Sequence, residues 1–374
     1  MGEHMILFSA AWRLFFPASA LFAGLAIPLW LLLYGGRAEA MDNPLAWHMH
    51  EMLFGYLPAA LAGFLLTAVP NWTGRPGLKG AALAQLFGLW LAGRIAMFAA
   101  PEFVTAQILA VLFLPVLGMI IARDIILSNN RRNLVVVGLI AALSLAEIVQ
   151  LFVDLDLGTN AGFAAAFLLM ALIGGRVTPA FSRNWLMQRG ATRLPAPFGV
   201  VDQAALALSL ATALVWLATG NSLPTGAIAA VTSLALLARL GRWQGLQVRG
   251  EVLLLAQHAA YLWLAIAAAL LALASLADLA TLSQVRHAVG AGAVGSMTVI
   301  VMLRATLGHS GRPIKGTGFD WLLFGALHLG AMLRVGAGWL GENDVMITTA
   351  GYLWALAMLM FVWRALPVAL TPRK

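Results

Sequence analysis

The chain has 374 residues, of which 61% are hydrophobic and 10% charged, and its mean hydropathy is +0.89. This composition is too apolar for a soluble domain. The absence of cysteine excludes disulfides, thiolate metal sites and iron–sulfur clusters. The net charge of +8 arises from basic loops, so we expect no nucleic-acid partner.

Long apolar runs separated by short polar loops follow one another along the whole chain. A helix needs about 20 apolar residues to cross a bilayer. The first run, Leu14 to Tyr34, is too long for the apolar part of a signal peptide, so we interpret it as a retained helix. The predicted spans, numbered 1 to 12, are 14–34, 47–70, 81–99, 103–122, 133–153, 161–181, 199–218, 224–240, 252–275, 284–308, 320–340 and 346–366.

Successive loops are alternately rich and poor in basic residues, and this alternation supports the count of twelve spans. Cytoplasmic loops of membrane proteins carry an excess of Lys and Arg. Nineteen of the 23 basic residues fall in the N-tail, the C-tail and the loops that follow even-numbered spans. The opposite loops hold only Arg37 and Arg286, together with eight acidic residues. We therefore predict an all-α polytopic membrane protein of about 12 helices, with both termini cytoplasmic and residues 1–374 forming a single membrane-embedded bundle.

Two arginines, Arg94 and Arg334, lie inside spans 3 and 11, near their outer ends. Each has two interpretations. The side chain can extend to the outer membrane interface, or it can face inward and bind an anionic group such as a haem propionate.

Six of the seven histidines lie at span ends or within spans, and the topology sorts them by depth. His48, His50 and His287 lie at the outer ends of spans 2 and 10, where Glu51 joins them as a candidate ligand, proton acceptor or partner that orients His48. His258, His309 and His328 lie towards the inner face, whereas His4 is in the N-tail and is not expected to take part. A lone histidine at a helix end is often only an interfacial cap. A set of six favours a metal or haem site, and imidazole suits haem iron, copper and zinc alike.

Helical periodicity makes a specific prediction for the stretch that contains His48, His50 and Glu51. Residues i and i+3 share a helix face, whereas i and i+2 do not. His48 and Glu51 should then be neighbours, with His50 pointing elsewhere. Either the two histidines then serve different partners, or this turn is not a regular α-helix and both histidines bind one ion.

Two glycine-containing motifs have simple interpretations. The stretch from Gly290 to Gly295 has the form G-x-G-x-x-G, but no strand precedes it. A dinucleotide site is therefore disfavoured, and the small residues favour close helix packing or room for a flat cofactor. Gly74-Arg75-Pro76 is predicted to be a tight, basic inner loop.

Several ordered motifs resemble the NnrS family across nearly the whole chain. They are "AAWRLFFPASALFAGLAIPLW" (10–30), "NPLAWHMHEMLFGY" (43–56), "AGFLLTAVPNWTGRP" (62–76), "IGGRVTPAFSRNWL" (173–186), "LAQHAAYLWL" (255–264), "RHAVGAGAVGSM" (286–297) and "RATLGHSGRP" (304–313). The resemblance implies a bacterial inner-membrane protein that contains b-type haem and copper and relieves nitrosative stress in the setting of denitrification.

The resemblance also implies which residues hold the cofactors. It points to His48, His50, Glu51, His258, His287 and His309, whereas a ligand role for His328 rests on its depth alone. Many family members carry a histidine late in the fifth span, where this chain has Glu147, Gln150 and Leu151. Arg94 and Arg334 are candidate propionate partners, and Glu51 is the candidate catalytic residue.

The function predicted from the sequence is binding or turnover of nitric oxide, as in an oxidoreductase that converts it. Its expected partners are nitric oxide or a related small molecule, the lipid bilayer and a membrane or quinone-linked electron donor. Two alternatives stay open. One is a transporter or exporter of a metal or nitrosyl-iron species, and the other is a haem protein that binds nitric oxide without converting it, as a sink or a sensor.

Overall fold

The computed structural model of the protein describes residues 6–36 and 41–373. His4, Arg37, Glu39 and Lys374, which entered the sequence predictions, lie outside these ranges. The described residues form helices and connecting loops, with no β-strand among them. Twelve of these helices are long and apolar enough to cross a membrane, which confirms the predicted fold class and span count. The cytoplasmic position of both termini stays a prediction.

The observed helices match the predicted spans in order and extend most of them at one or both ends. They are α1 (Ala11–Tyr34), α2 (Pro44–Thr73), α3 (Ala81–Ala99), α4 (Val104–Leu127), α5 (Arg131–Phe152), α6 (Leu155–Met187), α7 (Val200–Thr219), α8 (Leu223–Gly241), α9 (Val252–Leu276), α10 (Leu282–His309), α11 (Gly318–Leu340) and α12 (Asp344–Ala369). The largest extension is in α6, which continues through Pro179 and well beyond its apolar part. A hydropathy window cannot detect such polar helix ends.

The chain divides into two compact units. Unit 1 comprises residues 1–162, 302–314 and 358–374, and unit 2 comprises residues 163–301 and 315–357. Helices α6, α10 and α12 therefore each contribute residues to both units. The prediction of a single bundle over residues 1–374 stays a prediction.

Aromatic rings fill the core of unit 1. Phe15 of α1 lies 5.4 Å from the ring of Phe87 and 6.0 Å from that of Phe113, both measured between ring centroids. Gly63 of α2 packs directly against the ring of Phe16, so a larger residue at this position would separate α1 from α2. Apolar packing of this kind fixes the position of α2, which carries His48 and His50.

A buried ion pair lies in the core of unit 2. The Arg239 side chain is 0% exposed, and its Nε donates to Asp202 Oδ1 at 2.9 Å. Its NH1 donates to the Tyr261 hydroxyl at 2.8 Å and to the backbone carbonyl of Ala171 at 2.9 Å. These bonds connect α6, α7, α8 and α9.

Two stretches of π-helix interrupt the regular α-helix, one in each unit. Glu51–Tyr56 of α2 begins directly after His50, and Ala288–Gly295 of α10 begins directly after His287. A π-helix has i→i+5 hydrogen bonds and often occurs at functional sites. The second stretch contains the G-x-G-x-x-G motif. Its Gly292 packs on the Trp263 ring and its Gly295 on the Trp354 ring, which agrees with the close-packing interpretation of these small residues.

Candidate functional site

Four ionisable side chains meet inside unit 1 and are almost completely buried. His50 and Glu51 come from α2, Arg94 from α3 and Glu147 from α5. Their side chains are 2%, 1%, 4% and 1% exposed, respectively. We call these four residues the buried charge cluster. Ionisable groups inside a membrane protein are costly, and they usually mark a functional site.

Glu51 lies at the centre of the cluster, because one of its oxygens contacts two partners. Arg94 NH1 donates to Glu51 Oε1 at 2.7 Å, and His50 Nδ1 lies 2.9 Å from the same oxygen. On the other side of the imidazole, His50 Nε2 lies 3.3 Å from Glu147 Oε1. The order of contacts is therefore Arg94, Glu51, His50 and Glu147.

The local backbone explains how these groups reach one another. The π-helical stretch starts at Glu51, so the side chains from Glu51 onward depart from the α-helical register. Gly55, one turn further on, leaves the space that Arg94 occupies. A Cβ at Gly55 would lie 2.6 Å from Arg94 NH1 and 2.9 Å from Glu51 Oε2. The Gly55 carbonyl also accepts a hydrogen bond from Trp90 Nε1 at 2.9 Å, which fixes α3 against this stretch.

The cluster contains more carboxylate than cation. Glu51 and Glu147 carry two negative charges when both are ionised, whereas Arg94 supplies one positive charge. The cluster is therefore neutral only when one proton resides on His50 or on a glutamate. Within the described residues, both Glu147 oxygens and Glu51 Oε2 lack a hydrogen-bond partner, because the His50–Glu147 contact has ion-pair distance without hydrogen-bond geometry. These oxygens are buried acceptors that can take a proton.

The structure decides between the two interpretations of Arg94 and corrects the periodicity argument. Arg94 faces inward and pairs with Glu51. The expectation that His50 points away from Glu51 is wrong, since the two side chains are in contact. That expectation held only for a regular helix, and the alternative of an irregular turn is the one that agrees with the π-helix beginning at Glu51.

Glu147 is the member of the cluster that the sequence predictions left without a role. It is a carboxylate in an apolar span, which by itself does not distinguish a functional group from a structural one. The stronger signal was its location in the fifth span, where the resemblance implies a histidine in many family members. In this chain that part of α5 supplies a carboxylate to His50.

His48 lies in a different environment from that of His50. Its half-buried imidazole stacks on the indole of Trp30, with 4.3 Å between ring centroids and 24° between the ring planes. Trp30 in turn stacks on Tyr34 at 5.0 Å. The two histidines of this motif thus have different partners, as one of the sequence interpretations proposed.

In unit 2, His287 and Arg334 meet at Ser283. His287 Nδ1 lies 2.7 Å from the Ser283 carbonyl, so this nitrogen donates and the lone pair is on Nε2. Arg334 NH2 donates to the Ser283 hydroxyl at 2.8 Å, and its NH1 pairs with Glu342 at 3.0 Å. An Nδ1 bond to a backbone carbonyl is the arrangement that orients a metal-ligating imidazole.

The three histidines predicted near the inner face have separate surroundings. His258 Nδ1 lies 2.9 Å from the Leu254 carbonyl and its Nε2 3.4 Å from the Trp243 carbonyl. His328 Nδ1 accepts from Trp263 Nε1 at 3.1 Å, so the proton of the neutral ring is on its buried Nε2. His309 is exposed at the end of α10.

The histidines differ in how well their surroundings suit binding of a metal or haem iron. Within residues 6–36 and 41–373, no three His, Asp or Glu side chains are grouped so that they could hold a metal ion. His287 fits a ligand role, because its Nδ1 donates a hydrogen bond and its Nε2 carries the lone pair. His328 fits it poorly, because Trp263 donates to its Nδ1 and the proton of the neutral ring is then on Nε2. His50 fits it poorly, because carboxylates lie at both of its ring nitrogens.

Comparison with known proteins agrees with the resemblance seen in the motifs. No curated protein matches the chain. A family profile described as "NnrS protein" matches residues 6–373, which is nearly the whole sequence. With a match of this extent, and with twelve helices in the described part of the chain that are long and apolar enough to cross a membrane, the chain belongs to the NnrS family.

Proposed function

We propose that this protein binds or turns over nitric oxide at a haem- and copper-containing centre, and that the buried charge cluster handles protons for that chemistry. Family membership supports a multi-pass membrane protein related to nitric-oxide stress. The bacterial inner membrane is the proposed location, and protection against nitrosative stress is the proposed role.

The buried charge cluster is the observation that carries this proposal. A purely structural ion pair needs one cation for each buried anion, and in unit 2 Asp202 has the buried Arg239 and, at its edge, Arg242. The cluster adds a second carboxylate and an imidazole at the same depth. An unpaired buried charge is expensive, whereas a group that gains and loses a proton can keep the cluster neutral. Reduction of nitric oxide to nitrous oxide takes up two protons and two electrons per pair of molecules and releases water.

Haem iron, when bound, would supply the nitric-oxide binding and the electron transfer. His287 is the proposed haem-binding residue, because its hydrogen bond to the Ser283 carbonyl fits a ligand imidazole. Arg334, which shares Ser283 with His287, is the proposed partner of an anionic haem substituent. A copper role for His48, His258 or His309 rests on the resemblance alone, because each of these histidines has separate surroundings. Glu51 and Glu147 would accept or deliver protons through His50.

The first experiment measures cofactors and turnover on the purified full chain. A Soret band and copper in stoichiometric amount are expected. Nitric-oxide consumption in proteoliposomes with a quinol donor should continue over many turnovers. Consumption that stops after one equivalent would identify a sink or sensor instead. The absence of both cofactors would contradict the proposal and favour the transporter, for which twelve spanning helices are also suitable.

A histidine scan then tests the assignment of the ligands. His287→Ala should lower haem content or shift the Soret band, whereas His328→Ala and His50→Ala should retain haem. An unchanged spectrum in His287→Ala would contradict this ligand assignment without contradicting nitric-oxide binding itself.

A further inference from the structure

A pocket in unit 1 combines a basic opening with an apolar wall. It lies between α2, α4 and the loop that joins α2 to α3, and it contains about 600 Å³ of space, part of it open to solvent. The basic part comes from Lys79 and Arg123, with Asp124 beside them. The apolar part includes Leu66 and Val69 of α2 and Ile120 of α4. The nitric-oxide function assigns no role to this region.

The positive charge at the opening exceeds the negative charge. Asp124 Oδ1 accepts from Arg75 Nε at 3.1 Å and from Arg123 Nε and NH2 at 3.1 and 3.0 Å. One carboxylate thus holds two guanidinium groups in place. Lys79 adds a third cation, and it is exposed with no ion pair to the described residues. The net charge of these four side chains at neutral pH is two positive, which favours an anionic ligand.

The backbone of the connecting loop holds these cations near the helix ends. Gly74 and Gly80 have φ of +69° and +63°, a region that favours glycine, and they lie on either side of the short segment that carries Arg75 and Lys79. Asn130 Nδ2 donates to the Trp72 carbonyl at 2.8 Å, so the loop after α4 is joined to the end of α2. The opening is therefore built by the loop between α2 and α3 and by the end of α4, and the loop that follows α4 is hydrogen-bonded to the end of α2.

The apolar wall distinguishes between the two possible sources of an anion. A free phosphate ion would use the cations but would gain nothing from Leu66, Val69 and Ile120. In a phospholipid the phosphate is joined to acyl chains. Its phosphate would contact the basic part of this pocket while an acyl chain contacts the adjacent apolar part. Basic pockets between membrane helices on the cytoplasmic side are known sites for anionic headgroups, and the charge distribution predicts that side for this loop.

We propose that this pocket binds one anionic phospholipid, with its phosphate at Lys79 and Arg123 and an acyl chain along Leu66, Val69 and Ile120. The lipid would hold α2 and α4 together at this end of unit 1. This binding is independent of haem, copper and nitric-oxide chemistry, so it can be tested on protein of any cofactor content.

Native mass spectrometry of the detergent-purified full chain tests the proposal. The probes are phosphatidylglycerol, phosphatidylcholine with the same acyl chains, and inorganic phosphate as a competitor. Phosphatidylglycerol should bind more tightly than phosphatidylcholine, and millimolar phosphate should not displace it. Each surface cation contributes on the order of 1 kcal/mol to anionic-lipid binding, so Lys79→Ala should weaken phosphatidylglycerol binding about fivefold. Lys79→Ala/Arg123→Ala should weaken it about tenfold or more.

The matched control removes two positive charges from a part of the protein outside the pocket. Arg193 and Arg249 are exposed and lie in unit 2, so Arg193→Ala/Arg249→Ala should leave phosphatidylglycerol binding unchanged. Lys79→Arg/Arg123→Lys preserves the charges and should retain binding. Equal weakening in the pocket and control variants would overturn the proposal, because it would indicate a general effect of net charge. Displacement of the lipid by inorganic phosphate would also overturn it, since the site would then be one for a free anion.

Discussion

His50 and Glu147 face each other from α2 and α5, with 3.3 Å between Nε2 and Oε1, and both side chains are almost completely excluded from solvent. On its other side, the His50 imidazole contacts Glu51, which Arg94 neutralises. Glu147 is thus the carboxylate of the cluster without a guanidinium of its own, and its charge depends on the proton shared within the cluster. The predictions for Glu147 and Arg94 differ because of this asymmetry.

Glu147→Gln should reduce nitric-oxide consumption while largely preserving the fold. The substitution keeps the side-chain shape, and the remaining cluster of Glu51, Arg94 and neutral His50 is balanced without an added proton. Positioned proton transfer contributes about 10²- to 10⁴-fold to a rate, so steady-state consumption in proteoliposomes should fall about 100-fold or more. The melting temperature and haem content should change little.

Glu102→Gln is the control, because it removes the same charge from an exposed position. Its consumption rate should equal that of the unsubstituted protein. If Glu147→Gln also retains full consumption, the proton-handling role of the cluster is excluded.

Arg94→Met should be strongly destabilising, because it leaves Glu51 buried without its cation. Loss of one partner of a buried ion pair costs about 3–5 kcal/mol. The double variant Arg94→Met/Glu51→Gln should recover part of this loss, with a coupling energy of about 0.5–3 kcal/mol. SDS titration of the detergent-solubilised chain measures the free energy of unfolding of the unsubstituted protein, the two single variants and the double variant. Additive effects would show that the 2.7 Å contact between Arg94 and Glu51 contributes no coupling.

Gly55→Ala should destabilise the protein, since the added methyl group would collide with Arg94 and Glu51. Insertion of a methyl group into a well-packed site costs about 1–3 kcal/mol. Gly88→Ala on α3 is the matched control, because no atom lies within 4 Å of the position that its added methyl group would take, and the helix should gain up to about 1 kcal/mol. Thermal unfolding followed by tryptophan fluorescence distinguishes the two. Similar melting temperatures would mean that Arg94 can move aside at no cost.

Asp202→Asn should destabilise unit 2 without affecting the buried charge cluster. Arg239 would lose the only carboxylate that the structure shows bonded to its fully buried guanidinium among the described residues, at a cost of about 3–5 kcal/mol. Asp278→Asn is the control, because Asp278 is exposed and its φ of +52° is one that asparagine tolerates. Melting temperatures of the two variants provide the comparison. A shift for Asp278→Asn as large as that for Asp202→Asn would contradict the assigned importance of the Arg239–Asp202 pair.

The sequence by itself determined the fold class and the approximate position of each membrane helix. Hydropathy records how much apolar surface a segment offers to lipid, and this property depends on the segment alone. The same reasoning identified Arg94 and Glu51 as unusual, because a charged group in an apolar span is visible without knowledge of its neighbours.

Only the tertiary structure decided which charged groups meet. Arg94, Glu51 and Glu147 are separated by up to 96 positions in the sequence, and no local pattern indicates that α3 and α5 approach the same turn of α2. The periodicity argument left open whether the turn after His50 is regular, and only the structure decided for a π-helix. Helix packing brought the groups together, and the altered helical repeat gave His50 and Glu51 a contact that a regular α-helix does not predict. The burial of His50 between two carboxylates is therefore a property of the folded bundle and not of the sequence around it.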